Sequence, residues 1–203
     1  MTTEGGPLEA IVLAAGGGRR FGGAKLTSPW RGGLLIDGAL AAALSAPVAR
    51  VVVVTGADPR VAEAAKVFAE AQGGANRLVV VHAADHELGL SASLRAGFAA
   101  VDAKSRGALL FLGDMPLVPH NIPARLADAL KGDVIAAAPV CRGRRGHPAL
   151  FARALFDRLA ELDGDLGARG ILDSLGERLA LVETTDTGVL VDIDAPGDLN
   201  RLQ

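Results

Sequence analysis

Short, unbroken apolar runs rich in Val, Ile and Leu recur along the chain, and most are followed by a stretch with helical spacing. The runs are LEAIVLAA (8–15), RVVVVTG (50–56), RLVVVHAA (77–84), GALLFLGD (107–114) and GDVIAAAPV (132–140). A strand that is apolar at successive positions must be covered on both faces, which is the condition of a strand inside a parallel sheet. The helical stretches are DGALAAALSA (37–46), PRVAEAAKVFAEAQ (59–72), SASLRAGFAAVDAK (91–104) and IPARLADALK (122–131). Strand–helix alternation with Gly, Asp and Pro at the turns predicts stacked βαβ units, hence an α/β fold with a mostly parallel central sheet flanked by helices.

The rhythm changes after residue 140. Helical stretches are expected over 152–162 and 167–175, strands over 178–184 and 188–193, and a last helix over 195–202. No composition shift cuts the chain, so these elements extend the same sheet. The expectation is a single domain over 8–203 with 1–7 as a flexible leader. At 203 residues the chain is long enough for a full core.

Composition narrows the partners. A net charge of −2 offers no basic footprint for nucleic acid, and 3% aromatic residues with no Tyr leave few base-stacking groups. The single cysteine, Cys141, excludes an intramolecular disulfide and a multi-cysteine zinc site. No apolar run reaches membrane-spanning length, and no basic, apolar leader opens the chain. These features predict a cytoplasmic protein without membrane or nucleic-acid partners.

In an open parallel sheet, ligands bind beyond the carboxyl ends of the strands, so the residues following each run carry the functional expectation. After the first comes LAAGGGRRFGGAK (13–25). It matches neither the P-loop, which needs Gly-Lys-Ser/Thr, nor G-x-G-x-x-G, because Phe21 stands at the third glycine. Its glycines can still turn backbone N–H groups toward an anion, with Arg20 as a fork and Lys25 as a point charge. A polyphosphate needs both. After the fourth run, Gly113 precedes Asp114, a carboxylate suited to Mg²⁺ or to capping the next turn. In VDIDAP, Asp192 and Asp194 alternate on an expected strand end and share one face, and either can bind metal while Asp194 caps the last helix. In ELGLSASLRAG, Ser91 is expected as a helix N-cap. Its surroundings fail the G-x-S-x-G nucleophile pattern at Ser93. In CRGRRGHP, Arg142, Arg144 and Arg145 precede His147 in a basic loop suited to a phosphate-bearing second substrate. His82 and His86 receive no role, and Trp30 is read as packing.

Together these segments resemble the molybdenum-cofactor class of nucleotidyltransferases, whose opening runs L-A-A-G-x-x-x-R-x-G-x-x-K. GLSASLRAG, GDMPLV, GRRGHPALF, GDLGARGIL and DIDAPGDL follow in the order of its cytidylyltransferase branch, from about Leu8 to Leu202. The resemblance implies a Rossmann-like nucleotide-diphospho-sugar transferase fold and a Mg²⁺-dependent transfer of CMP from CTP to the phosphate of a molybdopterin-type cofactor, with pyrophosphate released. It implies Arg20, Lys25 and Asp114 in catalysis. Leu13, Ala14, Ala15, Gly16, Gly17, Gly18, Arg20, Lys25 and Gly113 would surround the triphosphate. Gly89 and Ser91 would border the base, Asp114 with Asp192 or Asp194 would hold Mg²⁺, and Arg145, His147 and Arg169 would face the pterin phosphate. A molybdoenzyme or its chaperone is the implied protein partner. Guanylyl transfer, another small phosphate acceptor, and a non-catalytic cofactor carrier are the alternatives.

Overall fold

The computed structural model describes residues 5–18, 21–165 and 167–202. The leader expected at 1–7 therefore lies outside the described residues over 1–4. In chain order the elements are β1 (Leu8–Ala14), β2 (Pro29–Trp30), β3 (Gly33–Leu34), α1 (Leu35–Ser45), β4 (Val51–Thr55), α2 (Arg60–Ala71), β5 (Leu78–His82), α3 (Leu90–Ala99) and β6 (Gly107–Leu112). Then follow α4 (Ile122–Ala129), β7 (Ala136–Cys141), β8 (Arg144–Arg145), β9 (Ala149–Ala152), α5 (Phe156–Ala160), α6 (Arg169–Asp173), β10 (Leu179–Glu183) and α7 (Pro196–Arg201).

The main sheet runs β10-β7-β9-β6-β1-β4-β5, with β8 folded back on β7. β1 is parallel to both its neighbours, β4 and β6, and β4 to β5, while β9 runs antiparallel between β6 and β7. All seven residues of β1 are buried, the six apolar ones in the core and Glu9 among polar partners. The period-two pleat divides that burial between two layers. Ala10 and Val12 face a cluster with α1, α2 and α4, whereas Ile11 and Leu13 face one with α3, α5 and α6. The sequence order moves outward from β1 through β4 to β5, then returns to place β6 on the other side of β1. The carboxyl ends of β1 and β6 thus lie side by side where the strand order reverses, the place where such sheets bind ligands.

One expectation fails locally, and two short elements form that the sequence pattern did not announce. No strand forms over 188–193. Thr187–Leu190 is a 3-10 turn, and the following extended segment is pinned by Ile193 N–H donating to the Asp114 carbonyl at 3.0 Å. That bond fixes the segment across the edge of the sheet instead of within it. The strand β9 was not expected, because its four residues fall between a basic turn and a helix. PWRGGL forms the small β2–β3 hairpin, with Arg31 and Gly32 at positive φ (46° and 82°) as its two-residue turn requires. Trp30 packs into the core at 7% exposure, as read from the sequence.

Candidate active site

β1 delivers residues 13–18 to the wall of a cavity of about 620 Å³, whose lining also includes Lys25, Gly89 and Asp114. Gly18 has φ of +57°, and a Cβ there would stand 2.9 Å from the Lys25 Cβ. Its carbonyl accepts from the N–H groups of Phe21 (2.9 Å) and Gly23 (3.1 Å), so the chain doubles back and returns Lys25 to the strand end. A second tether fixes the turn: Thr27 Oγ1 donates to Asp58 Oδ2 at 2.9 Å. Arg60 forks onto Asp58 and holds its carboxyl below the ordinary value. Arg19 and Arg20 lie outside the described residues.

The carboxylates converge on Lys25. Gly113 N–H donates to the Leu13 carbonyl at 2.9 Å, and a Cβ on Gly113 would meet that same oxygen at 2.9 Å. Glycine there lets β6 end flush against β1, and the next residue, Asp114, reaches Lys25 Nζ with Oδ2 at 2.8 Å. Asp194 Oδ1 approaches the same nitrogen at 3.6 Å. Asp192 makes no ion pair with a described residue; its charge acts on His147. The cap of α7 is not Asp194. Asp198 reaches back and accepts from the N–H groups of Asp194 (3.0 Å) and Ala195 (2.8 Å), which leaves the Asp194 carboxylate free to turn inward.

The far wall is the loop into α3. Gly89 adopts φ of +116°, and a Cβ there would collide with the Gly164 carbonyl and with Asp165. Ser91 is not the N-cap. The cap position is Gly89, and Ser91 is 1% exposed inside the helix, its N–H donating to the Gly164 carbonyl at 3.1 Å. The side chains that do reach the cavity from this wall are His86, Glu87, Leu88, Leu90 and Ser93. His86 Nδ1 lies 3.0 Å from the Ala83 carbonyl, which directs Nε2 away from the backbone. Sequence reasoning passed over His86 because a histidine in a polar loop has no spacing partner.

A second cavity, of about 580 Å³, adjoins the first. The two share Leu13, Leu90 and Leu112 as a common wall. Arg145, His147 and Arg169 all line it, on an apolar floor that includes Leu94, Leu110 and Phe151. Arg145 Nη2 bonds Asp173 Oδ1 at 2.6 Å, and Arg169 Nε stands 3.9 Å from Asp173 Oδ2, so Asp173 anchors Arg145 and lies beside the exposed Arg169. That role was legible only as an i,i+4 pair with Arg169. His147 Nδ1 is buried without a hydrogen-bond partner. Burial pushes the imidazole pKa down, opposed by the Leu110 carbonyl and by the charges of Asp114 and Asp192, so the ring is held neutral. Among the described residues no helix is long and apolar enough to cross a membrane.

Comparison with known proteins agrees with this geometry. The model of the MobA-like NTP transferase domain matches residues 10–179. The chain belongs to this family. It is 27% identical over 191 residues to the molybdenum cofactor cytidylyltransferase of Escherichia coli K12, covering 94% of this chain and 93% of that one. Rv0371c of Mycobacterium tuberculosis H37Rv, solved in complex with manganese, superposes with a TM-score of 0.77 at 27% identity, covering 97% of each chain. A nucleotidyl transferase from Methanothermobacter gives a TM-score of 0.76 at 29% identity over 98% of this chain and 96% of its own. As a MobA-like transferase the protein is an enzyme of the nucleotidyltransferase class, with the α/β fold of the nucleotide-diphospho-sugar transferases. The resemblance to the molybdenum-cofactor branch is thereby borne out across almost the whole chain.

Proposed function

We propose that this MobA-like enzyme transfers CMP from CTP to the phosphate of a molybdopterin-type acceptor and releases pyrophosphate. One observation carries the reading: a glycine-walled cavity holding Lys25 between two aspartates shares a wall with a second cavity rimmed by arginines. The first suits a metal triphosphate and the second a phosphate-bearing acceptor. The cytidine assignment draws on the relative of that name in E. coli.

The donor set fits a hard divalent ion. Asp114 Oδ2 and Asp194 Oδ1 approach one cationic nitrogen at 2.8 and 3.6 Å, and Mg²⁺ typically takes one or two carboxylates with phosphate oxygens. No group of three or more ligating side chains occurs among the described residues, which accords with that type of site. The manganese complex of Rv0371c supports it further. Bound there, Mg²⁺ would supply charge neutralisation at the phosphates.

The remaining work belongs to the chain. Leu13 to Gly18 with Arg20 and Lys25 cradle the triphosphate; Gly89 and the wall beside Ser91 border the base. Arg145, His147 and Arg169 orient the acceptor so that its phosphate oxygen lies in line with the α-phosphorus. A new P–O bond forms as the α–β bridging bond breaks, and the electron pair leaves on pyrophosphate. A phosphate monoester is largely ionised near neutral pH, so no general base is required; positioning and charge suffice. The neutral His147 ring is accordingly a positioning group. Such chemistry on soluble nucleotides suits a cytoplasmic enzyme that hands its product to a molybdoenzyme or its chaperone.

The test is a matrix of CTP, GTP and ATP against molybdopterin-type and simpler phosphate acceptors, read by pyrophosphate release. CTP with the pterin acceptor should dominate; equal rates with all three nucleotides would remove the base assignment. Arg20→Ala and Asp114→Ala should abolish turnover in folded protein.

A further inference from the structure

We propose that Lys25 occupies the cation position between Asp114 and Asp194, so that a divalent metal gains those carboxylates only when a triphosphate draws the lysine away. This rests on the reading of the first cavity as a metal–triphosphate site. Lys25 Nζ lies 2.8 Å from Asp114 Oδ2 and 3.6 Å from Asp194 Oδ1. A metal bound to the same oxygens would press a second positive charge against the ammonium. The lysine side chain is only 11% exposed, so water screens that repulsion poorly. Two carboxylates with one ammonium carry a net charge of −1, and moving the ammonium restores −2 to the pair.

The backbone around Lys25 is held by its neighbours, whereas among the described residues its ammonium is held only by the two aspartates. The Gly18 carbonyl bonds and the Thr27–Asp58 tether fix the turn, so displacement falls to the flexible four-carbon stem. An alternative partner is available in the same cavity. The N–H groups of Gly16, Gly17 and Gly18 make no hydrogen bond among the described residues, and Lys25 shares their wall. A triphosphate in that cradle attracts the ammonium and releases the aspartates. Linkage is reciprocal: nucleotide raises metal affinity by the factor by which metal raises nucleotide affinity. The lysine therefore opposes metal loading ahead of nucleotide.

The experiment titrates the whole protein with Mn²⁺ alone, without nucleotide, following free Mn²⁺ by electron paramagnetic resonance. Removing one charge-assisted contact from Asp114 is expected to tighten Mn²⁺ binding about 10- to 100-fold in Lys25→Met. Lys25→Gln should behave alike and serves if the methionine variant does not fold, as judged by circular dichroism. Lys25→Arg keeps the charge and should stay close to wild type, and adding Asp114→Asn to Lys25→Met should erase the gain. Equal or weaker Mn²⁺ affinity in the neutral variants overturns the inference alone. A gain that survives Asp114→Asn also overturns it. No Mn²⁺ binding by any variant overturns both the inference and the metal reading beneath it.

Discussion

Glu9 is a buried carboxylate at the amino edge of the sheet, and replacing it tests whether that edge stabilises the fold without touching the chemistry. Its exposure is 1%. Oε1 accepts from Ser105 Oγ at 2.6 Å and from Asp102 N–H at 3.0 Å; Oε2 accepts from Arg50 Nη2 at 2.9 Å and Nε at 3.2 Å. Arg50 precedes β4, and Asp102 and Ser105 precede β6, so one side chain ties together the starts of three parallel strands. Glu9→Gln keeps the volume but removes the charge and turns an NH₂ group toward the surrounding donors. Losing the charged contacts and stranding a donor in a buried site costs several kcal/mol at face value. Arg50 is 34% exposed, so water takes up part of its loss, and the net expectation is about 3 kcal/mol. For a domain of this size that lowers Tm by about 6–12 °C. Scanning calorimetry measures the shift, and nucleotide titration at 20 °C checks that affinity stays within about twofold, since additivity holds for distant sites. A Tm within about 2 °C of wild type would refute the stability argument. Lost nucleotide affinity in a folded variant would refute the separation of the two edges.

The other predictions concern the carboxyl edge. Asp194→Asn should lower metal-dependent turnover about a hundredfold, and Asp192→Asn far less, because Asp194 and not Asp192 reaches Lys25; steady-state kinetics with the reverse order would reassign the ligand. Gly113→Ala should cost about 1–3 kcal/mol by overpacking and about a hundredfold in kcat by displacing Asp114. Its Cβ would stand 2.9 Å from the Leu13 carbonyl, and full activity at unchanged Tm would count against that packing. For His147 the folded-state pKa lies below its ordinary value of 6.5 because of burial. The unfolded chain therefore binds the proton first, so this contribution to stability is present above about pH 6.5 and is lost as the pH falls through the folded value. Denaturation between pH 7.5 and 5.5 in the presence of a chelator should show that slope in wild type and a shallower one in His147→Gln; identical slopes would deny the burial effect.

Much of the fold was legible because burial on both faces leaves a continuous apolar run, as in β4, β6 and β7; β5 carries one as well, although it is a partly exposed edge strand. The elements that escaped are those where tertiary contacts replace local pattern. The segment 188–193 carries the short apolar run of a strand, yet Ile193 bonds the Asp114 carbonyl instead of a sheet neighbour. β9 is a strand because β6 and β7 leave a gap that its four residues fill, which no local signal encodes. At the site, Lys25 and Asp114 from the motifs line the first cavity, and Arg145, His147 and Arg169 line the second. Ser91 does not cap α3 because Gly89 takes that position, where it must leave room for the Gly164 carbonyl. Asp165 and Asp173 lay inside or beside recognised motifs, but only the fold turns the first toward Gly89 and the second toward Arg145.

The two edges of the sheet differ in how completely their polar groups are satisfied. At the amino edge both oxygens of Glu9 are saturated by donors from neighbouring strands. At the carboxyl edge His147 Nδ1 has no partner, and Ala24, immediately before Lys25, sits at φ +51° in the left-handed region that favours glycine. Unmet hydrogen bonding and local backbone strain persist only where the surrounding structure imposes them, and they concentrate at functional sites. A chain built solely for stability would place glycine at position 24 and a donor near His147. Keeping alanine stiffens the return of Lys25 to the aspartates, which suits a lysine whose side chain, rather than its backbone, must exchange carboxylate for phosphate.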